Sequence, residues 1–196
     1  MRHGLTNTIR FLLAGLVVLA GTSAAQAASV SGSQAISVGS TTMNTTSVGS
    51  ASVFNFSGLT ASSPSDGDFA SNVAGGTSVG TGPFTLTLAP TSFTFGNAAF
   101  GTFVATAITS DFALGSFRNI ELIGTFTGGT LFPGKGDSAP AVLAIGLTQV
   151  GGAGRPVSGS FTLAVAPVVP EPASLVMLGL GLAGVVGASR LRRKAA

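Results

Sequence analysis

The feature that most constrains this chain is a repeat of two. Phe84, Leu86 and Leu88 alternate with threonine, and Phe93 and Phe95 continue the pattern after Pro90. The same alternation recurs in Phe103, Ala105 and Ala107, in Leu143, Ile145 and Leu147, and in Phe161, Leu163 and Val165. Side chains on a strand point to opposite faces in turn, so each run has one apolar face and one hydroxylic face. That is the pattern of antiparallel strands with one side in a core. Glycine and proline punctuate the runs, at Gly75-Gly76, Gly80–Pro83, Gly96-Asn97, Gly128-Gly129, Pro133–Asp137 and Gly151–Gly154. No segment of helical length within 28–169 carries a 3.6-residue period. The expected fold is all-β: an antiparallel β-sandwich or a small barrel-like body. Residues 28–50, rich in Ser, Thr and Gly, read as a loose leader or an edge strand, and 60–82 as a long surface loop.

Composition removes most chemistry. The chain lacks Cys, Trp and Tyr, and its one histidine is His3. Without an imidazole or a thiol in the body, Ser-His-Asp and Cys-His nucleophiles, Cys/His zinc sites, haem and iron–sulfur ligation are excluded. Carboxylate pairs, Ser-Lys arrangements and carboxylate-bound calcium are what remain. Charged residues are only 8% of the chain, against roughly 25% in an average domain. The fourteen phenylalanines supply enough apolar surface for one core, and argue against disorder.

The charge is unevenly placed. The formal net charge is +3, yet 28–169 holds only Arg118, Lys135 and Arg155 against Asp66, Asp68, Asp111, Glu121 and Asp137, a balance of −2. The cations lie at the ends. Three scattered cations cannot neutralise a row of phosphates, so nucleic acid is not an expected partner.

The ends read as addresses. Arg2 and Arg10 precede the apolar run Phe11–Ala20, and Gly21–Ala27 follows with small residues. Ala25 and Ala27 fit the A-x-A rule, placing signal-peptidase cleavage before Ala28 and making 1–27 a signal peptide. At the other end Pro170-Glu171-Pro172 precedes an apolar run over 173–189, followed by Arg190, Arg192, Arg193 and Lys194. Seventeen residues of helix cover about 25 Å, nearly the hydrocarbon thickness of a bilayer. Proline suits the first turn of a helix, and the basic cluster halts transfer on the cytoplasmic side.

The triplet, the short Gly/Leu-rich helix and the Arg-rich end, in that order, resemble the PEP-CTERM sorting signal of exported proteins in Gram-negative bacteria. Val169 before the triplet and Ala173-Ser174-Leu175 after it fit as well. The resemblance covers 170–196. It implies recognition by an exosortase, a membrane-embedded transpeptidase-like protease. It also implies transient anchoring in the inner membrane through 173–189, delivery to the cell surface or extracellular matrix, and association with exopolysaccharide and biofilm. The stretch 98–165 is similar in character to the β-rich bodies that often precede such tails.

Within the body the candidate sites have plain competitors. Asp66 and Asp68 alternate as calcium ligands do, but lack the further oxygen ligands such loops need, so a solvated turn is the simpler reading. Asp111 and Glu121 form a glycosidase-like pair if a hairpin around Leu114–Arg118 brings them together; a cross-strand salt bridge with Arg118 competes. Lys135 in Pro-Gly-Lys-Gly-Asp falls short of a phosphate loop and reads as a turn. Asn44 and Asn55 head glycosylation triplets, which arise readily in so Ser/Thr-rich a chain. No cofactor and no catalytic residue is expected. The sequence points to an exported, non-enzymatic surface or matrix protein, with a polysaccharide-binding module as the alternative.

Overall fold

The structure is a computed structural model that describes residues 28–89 and 91–167. The expected signal peptide with Ala25 and Ala27, the Pro170-Glu171-Pro172 triplet, the helix expected over 173–189 and the basic cluster lie outside the described residues.

The expected all-β body is what the chain builds. The strands are β1 (Gly32–Met43), β2 (Val53–Ser65), β3 (Ser78–Gly80), β4 (Phe84–Leu88), β5 (Thr91–Ser92), β6 (Thr94–Asn97), β7 (Gly101–Leu114), β8 (Phe117–Gly128), β9 (Ser138–Gln149) and β10 (Val157–Val165). One short helix, α1 (Gly67–Asn72), lies between β2 and β3. All strands join one antiparallel sheet in the order β5-β4-β2-β1-β10-β9-β8-β7-β6, with β3 beside β2. The sheet curls into a nearly closed barrel. Its two ends, β5 and β6, are consecutive in the chain and separated only by Phe93, whose carbonyl accepts a hydrogen bond from the Ala105 amide at 2.9 Å.

Two expectations are corrected. Residues 28–50 are neither a leader nor an edge, because β1 lies in mid-sheet between β2 and β10. Its apolar alternation is short, Ile36 and Val38 among small residues, and cross-strand partners on both sides supply the order that its own composition does not. Residues 60–82 are not a long loop either. They hold the end of β2, then α1, then β3. Six residues are too few to display a helical period, and α1 is held by what surrounds it. The Asp66 carboxylate accepts from the Gly67 amide at its start, and Phe69 is buried.

The apolar faces of the strands line the interior, which phenylalanine fills in two clusters. Phe161 meets Phe56 edge-on at 4.8 Å between ring centroids, with Phe93 and Phe95 alongside. Nearer one pole, Phe69 packs on Phe132 at 5.3 Å, Phe126 at 5.6 Å and Phe100 at 5.8 Å. The edge-to-face pairs Phe56–Phe161 and Phe69–Phe132 each add about 0.5–1.5 kcal/mol beyond the area they bury.

Each pole is therefore stopped differently. At the first, α1 is an apolar plug whose entry passes close over β1. A Cβ on Gly32, at φ +119°, would lie 2.3 Å from the Asp66 carbonyl, so only glycine fits there. At the second pole the 44–52 loop turns inward with Val48 and Ala51 buried. Polar side chains hold that loop. Gln149 accepts from the Val48 amide and donates to the carbonyls of Thr46 and Arg155, while Arg118 donates to the carbonyls of Val48 and Ala51.

Candidate functional site

The chain enters and leaves the barrel at the same pole. Gly32 at the start of β1 lies directly across from Val165 at the end of β10, in antiparallel register. Beyond them, Ser29 bridges to Asp137, and the Ala166 amide donates to the Pro140 carbonyl at 3.1 Å. Ala28 and Pro167 thus leave beside α1. Four residues separate Val165 from Pro170, a reach of at most about 18 Å over five Cα steps. Whatever acts on the triplet works close to this pole. The turn at Gly115-Ser116 and the 150–156 loop lie at the opposite pole.

The carboxylates of the body serve the framework. Asp66 caps α1, its Oδ1 accepting from the Gly67 amide at 2.7 Å. Asp68 turns away from it. Its Oδ2 accepts from the amide of Ser31 at 2.8 Å and the hydroxyl of Ser31 at 3.1 Å, and its Oδ1 from Lys135 Nζ. The Lys135 ammonium and then the Ser31 donors hold the Asp68 carboxyl below its ordinary range, against an opposing push from burial. Among the described residues there is no group of three or more His, Cys, Asp or Glu side chains placed to hold a metal ion. Lys135 sits in a turn closed by its own amide on the Phe132 carbonyl at 3.0 Å. It ties that turn to α1 and the first residues of the body.

Asp111 and Glu121 do not meet. In the β7–β8 ladder Asp111 faces Ile120 while Glu121 faces Ser110, one position apart, so their side chains point to opposite faces of the sheet. Asp111 turns inward to Arg118. Glu121 turns outward and accepts from the Thr109 hydroxyl at 2.7 Å. The salt-bridge reading describes Asp111, and the glycosidase-like pair is overturned by register. Asn44 is occupied in its loop, its Oδ1 accepting from the amides of Ser52 and Val53, and Asn55 accepts from Thr85 on β4.

Two outer features escaped the sequence reading. A shallow trough of about 370 Å³ runs over β9, floored by Ala144 and Gly146 and walled by Asn119, Glu121, Ser160 and Thr162. Apolar residues also collect on the outside of the far pole: Leu114 is 69% exposed, Phe112 55% and Phe117 37%. Alternation of Phe112 and Leu114 beyond Asp111 was the available signal, but nothing local says that their face lacks a cover.

The described residues form an all-β barrel that the chain enters and leaves at one pole. A family model for the PEP-CTERM protein-sorting motif matches residues 168–193. The chain carries that motif and is an exported protein sorted through the exosortase pathway, which processes it. Comparison with curated proteins and with solved structures returns no match.

Proposed function

We propose that the body is a non-enzymatic structural domain of the cell surface or extracellular matrix, working in association with exopolysaccharide and biofilm. Signal peptidase would release it at Ala28, and the 173–189 segment would hold it in the inner membrane until the exosortase acts. The observation that carries this reading is the shared exit pole. Gly32 and Val165 lie side by side, so the barrel can fold while tethered at both ends, with its far pole outward. The charged side chains support it as well. Arg118, Asp111, Lys135 and Asp68 are committed to holding the two plugs, which leaves them to structure rather than to chemistry.

Intact-mass analysis of the exported protein, with fractionation of the producing cells, tests the proposal. The expected product starts at Ala28, has lost the basic cluster and travels with the polysaccharide-containing fraction. A product still ending at Ala196, or one wholly absent from that fraction, overturns it.

The β9 trough favours a second reading, a non-catalytic polysaccharide-binding module. Its lining offers one carboxylate, one amide and the three hydroxyls of Ser110, Ser160 and Thr162, with no cation, which suits a neutral, hydroxyl-rich chain. Gly146→Val fills the floor, since a Cβ there stands 3.3 Å from Ser160 Oγ and 3.5 Å from Asn119 Oδ1. Retention on the producer's own polysaccharide should fall with that variant if the trough binds it. Unchanged retention would leave only the structural reading.

A further inference from the structure

The β7 strand changes character along its length. Its first residues, Gly101–Val104, pair with β6 on one side and β8 on the other. Beyond the Ala105 amide, which closes on Phe93, only β8 pairs with it among the described residues. The six residues Thr109–Leu114 are all exposed. Exposure of both faces shows that this end of the hairpin projects past the core, and with β8 as its one partner its other edge carries unpaired backbone donors and acceptors. Register shifts at Ala105/Ala107 and Ile108/Ser110 interrupt the lower part, leaving Ser110–Leu114 as the regular segment.

Natural edges of this kind are usually blunted by charge, above all lysine. Here the only charged residue is Asp111, and Arg118 occupies its carboxylate with two hydrogen bonds. The outward side chains are Ser110, Phe112 and Leu114, and Phe117 of β8 stands opposite Leu114. The edge is thus near-neutral, apolar on its outer face and open.

We propose that this edge is a homotypic interface: Ser110–Leu114 pairs antiparallel with the same segment of a second copy, about a two-fold axis at Phe112. A two-fold perpendicular to the sheet keeps outer faces on one side, so the residue on the axis meets itself. Centring on Asp111 would set two carboxylates opposite each other, which disfavours it. Centring on Ala113 leaves only Phe112–Leu114 in pairing. Centring on Phe112 uses all five residues, joins the two Phe112 rings across the axis and sets Leu114 against Ser110 of the other copy. Charge decides for a second copy: two neutral edges approach without repulsion, and an antiparallel edge is its own complement. Because the pairing reverses strand direction, the two exit poles point opposite ways. The contact therefore forms between molecules on facing surfaces or free in a matrix, not between neighbours in one membrane.

The test uses the exported protein as the cell releases it. Light scattering across a concentration series should show a monomer passing to a dimer. Phe112→Lys, at an exposed position outside the core, should weaken the association at least about tenfold, since two cations would then oppose each other on the axis. The chain has no native cysteine, so register is readable by oxidation. In Phe112→Cys the two introduced thiols lie on residues whose Cα atoms are about 4.5–5.5 Å apart, within disulfide reach. In Leu114→Cys they are offset by four residues, about 14 Å, and stay apart. Rapid covalent dimer from the first variant and little from the second supports the interface. A protein monomeric at every concentration, dimers unaffected by Phe112→Lys, or equal cross-linking of both cysteine variants overturns it.

Discussion

Arg118 and Asp111 meet across the β7–β8 hairpin in a two-pronged ion pair. Nε lies 2.7 Å from Oδ1 and Nη2 lies 2.6 Å from Oδ2. The pair leaves Nη1 free to reach inward, where it donates to the carbonyls of Val48 at 3.1 Å and Ala51 at 2.5 Å. The guanidinium also lies 5.5 Å over the Phe54 ring. One side chain thus orients the hairpin, seats the 44–52 plug and covers the top of the core.

Arg118→Ala should therefore be severe. It leaves the two buried carbonyls of Val48 and Ala51 without a donor, at about 1–3 kcal/mol each, and the part-exposed Asp111 without its cation, which adds less. Arg118→Lys keeps the charge but cannot serve a carboxylate and two carbonyls from one planar fork, so its loss should fall between that of alanine and that of wild type. Asp111→Asn should cost least, because the inward contacts survive. Urea denaturation of the exported protein reads the order directly as falling midpoints. Equal midpoints for the alanine and asparagine variants would mean that the inward carbonyl contacts contribute nothing.

At the other pole, the Asp68–Lys135 contact sets an acid limit. Asp68 is held below its ordinary range, chiefly by Lys135 and then by Ser31. A carboxyl whose folded value lies below its unfolded value binds fewer protons when folded, so its contribution is present above the unfolded value. That contribution is lost as pH falls from about 4 through the folded value. Melting temperature should drop over that range in wild type and more shallowly in Asp68→Asn. Identical acid profiles for the two proteins would remove Asp68 from the account.

The strands legible in the sequence were those with a large apolar residue at every second position. Leu143, Ile145 and Leu147 announce β9, and Phe161, Leu163 and Val165 announce β10. Each lies buried on the inner face. β1 was ambiguous because Gln34, Ile36 and Val38 alternate among serines and glycines whose own preferences say little. Its order comes from two neighbours remote in sequence. The Asp66/Asp68 pair was visible as a motif, but its use was not. Ser31 lies 37 residues from Asp68 and Lys135 lies 67 away, and no local pattern reports such distances. The failure of Asp111 and Glu121 to meet is a matter of register, which the two-residue turn at Gly115-Ser116 sets, since the ladder runs unbroken from Leu114–Phe117 to Ser110–Glu121.

Phe161 should be among the least replaceable core residues. It is 1% exposed and has three phenylalanine neighbours within 6.1 Å, centroid to centroid. Phe161→Ala removes the ring that Phe56, Phe93 and Phe95 share and leaves a cavity in mid-barrel, for a loss of about 3–5 kcal/mol. Phe161→Leu keeps much of the volume and should lose less than half as much. Denaturant unfolding followed by far-ultraviolet circular dichroism suits a protein with neither Trp nor Tyr. A loss below about 1 kcal/mol for the alanine variant would mean that the barrel collapses around the gap rather than being held open by its closure.

The junction between barrel and tail yields the last prediction. Ala166 is still tied to β9 through the Pro140 carbonyl, so only 167–169 can act as spacer before the triplet, a reach of about 10 Å. On the proposed anchoring in the inner membrane, the exosortase has only that length in which to reach the triplet between the bilayer and the exit pole. Deleting Pro167, Val168 and Val169 draws the triplet against the barrel and should make the precursor accumulate uncut in the inner membrane, although Pro170, Glu171 and Pro172 remain intact. Glu171→Ala should give the same uncut form by a different route, removing the triplet's carboxylate at full spacer length. Inserting Gly-Ser-Gly before Pro170 separates the two, because it restores processing to the deletion and does nothing for Glu171→Ala. Pulse-labelling with intact-mass readout of each variant decides the matter. Normal cleavage of the deletion would show that the exosortase does not sense the barrel at all.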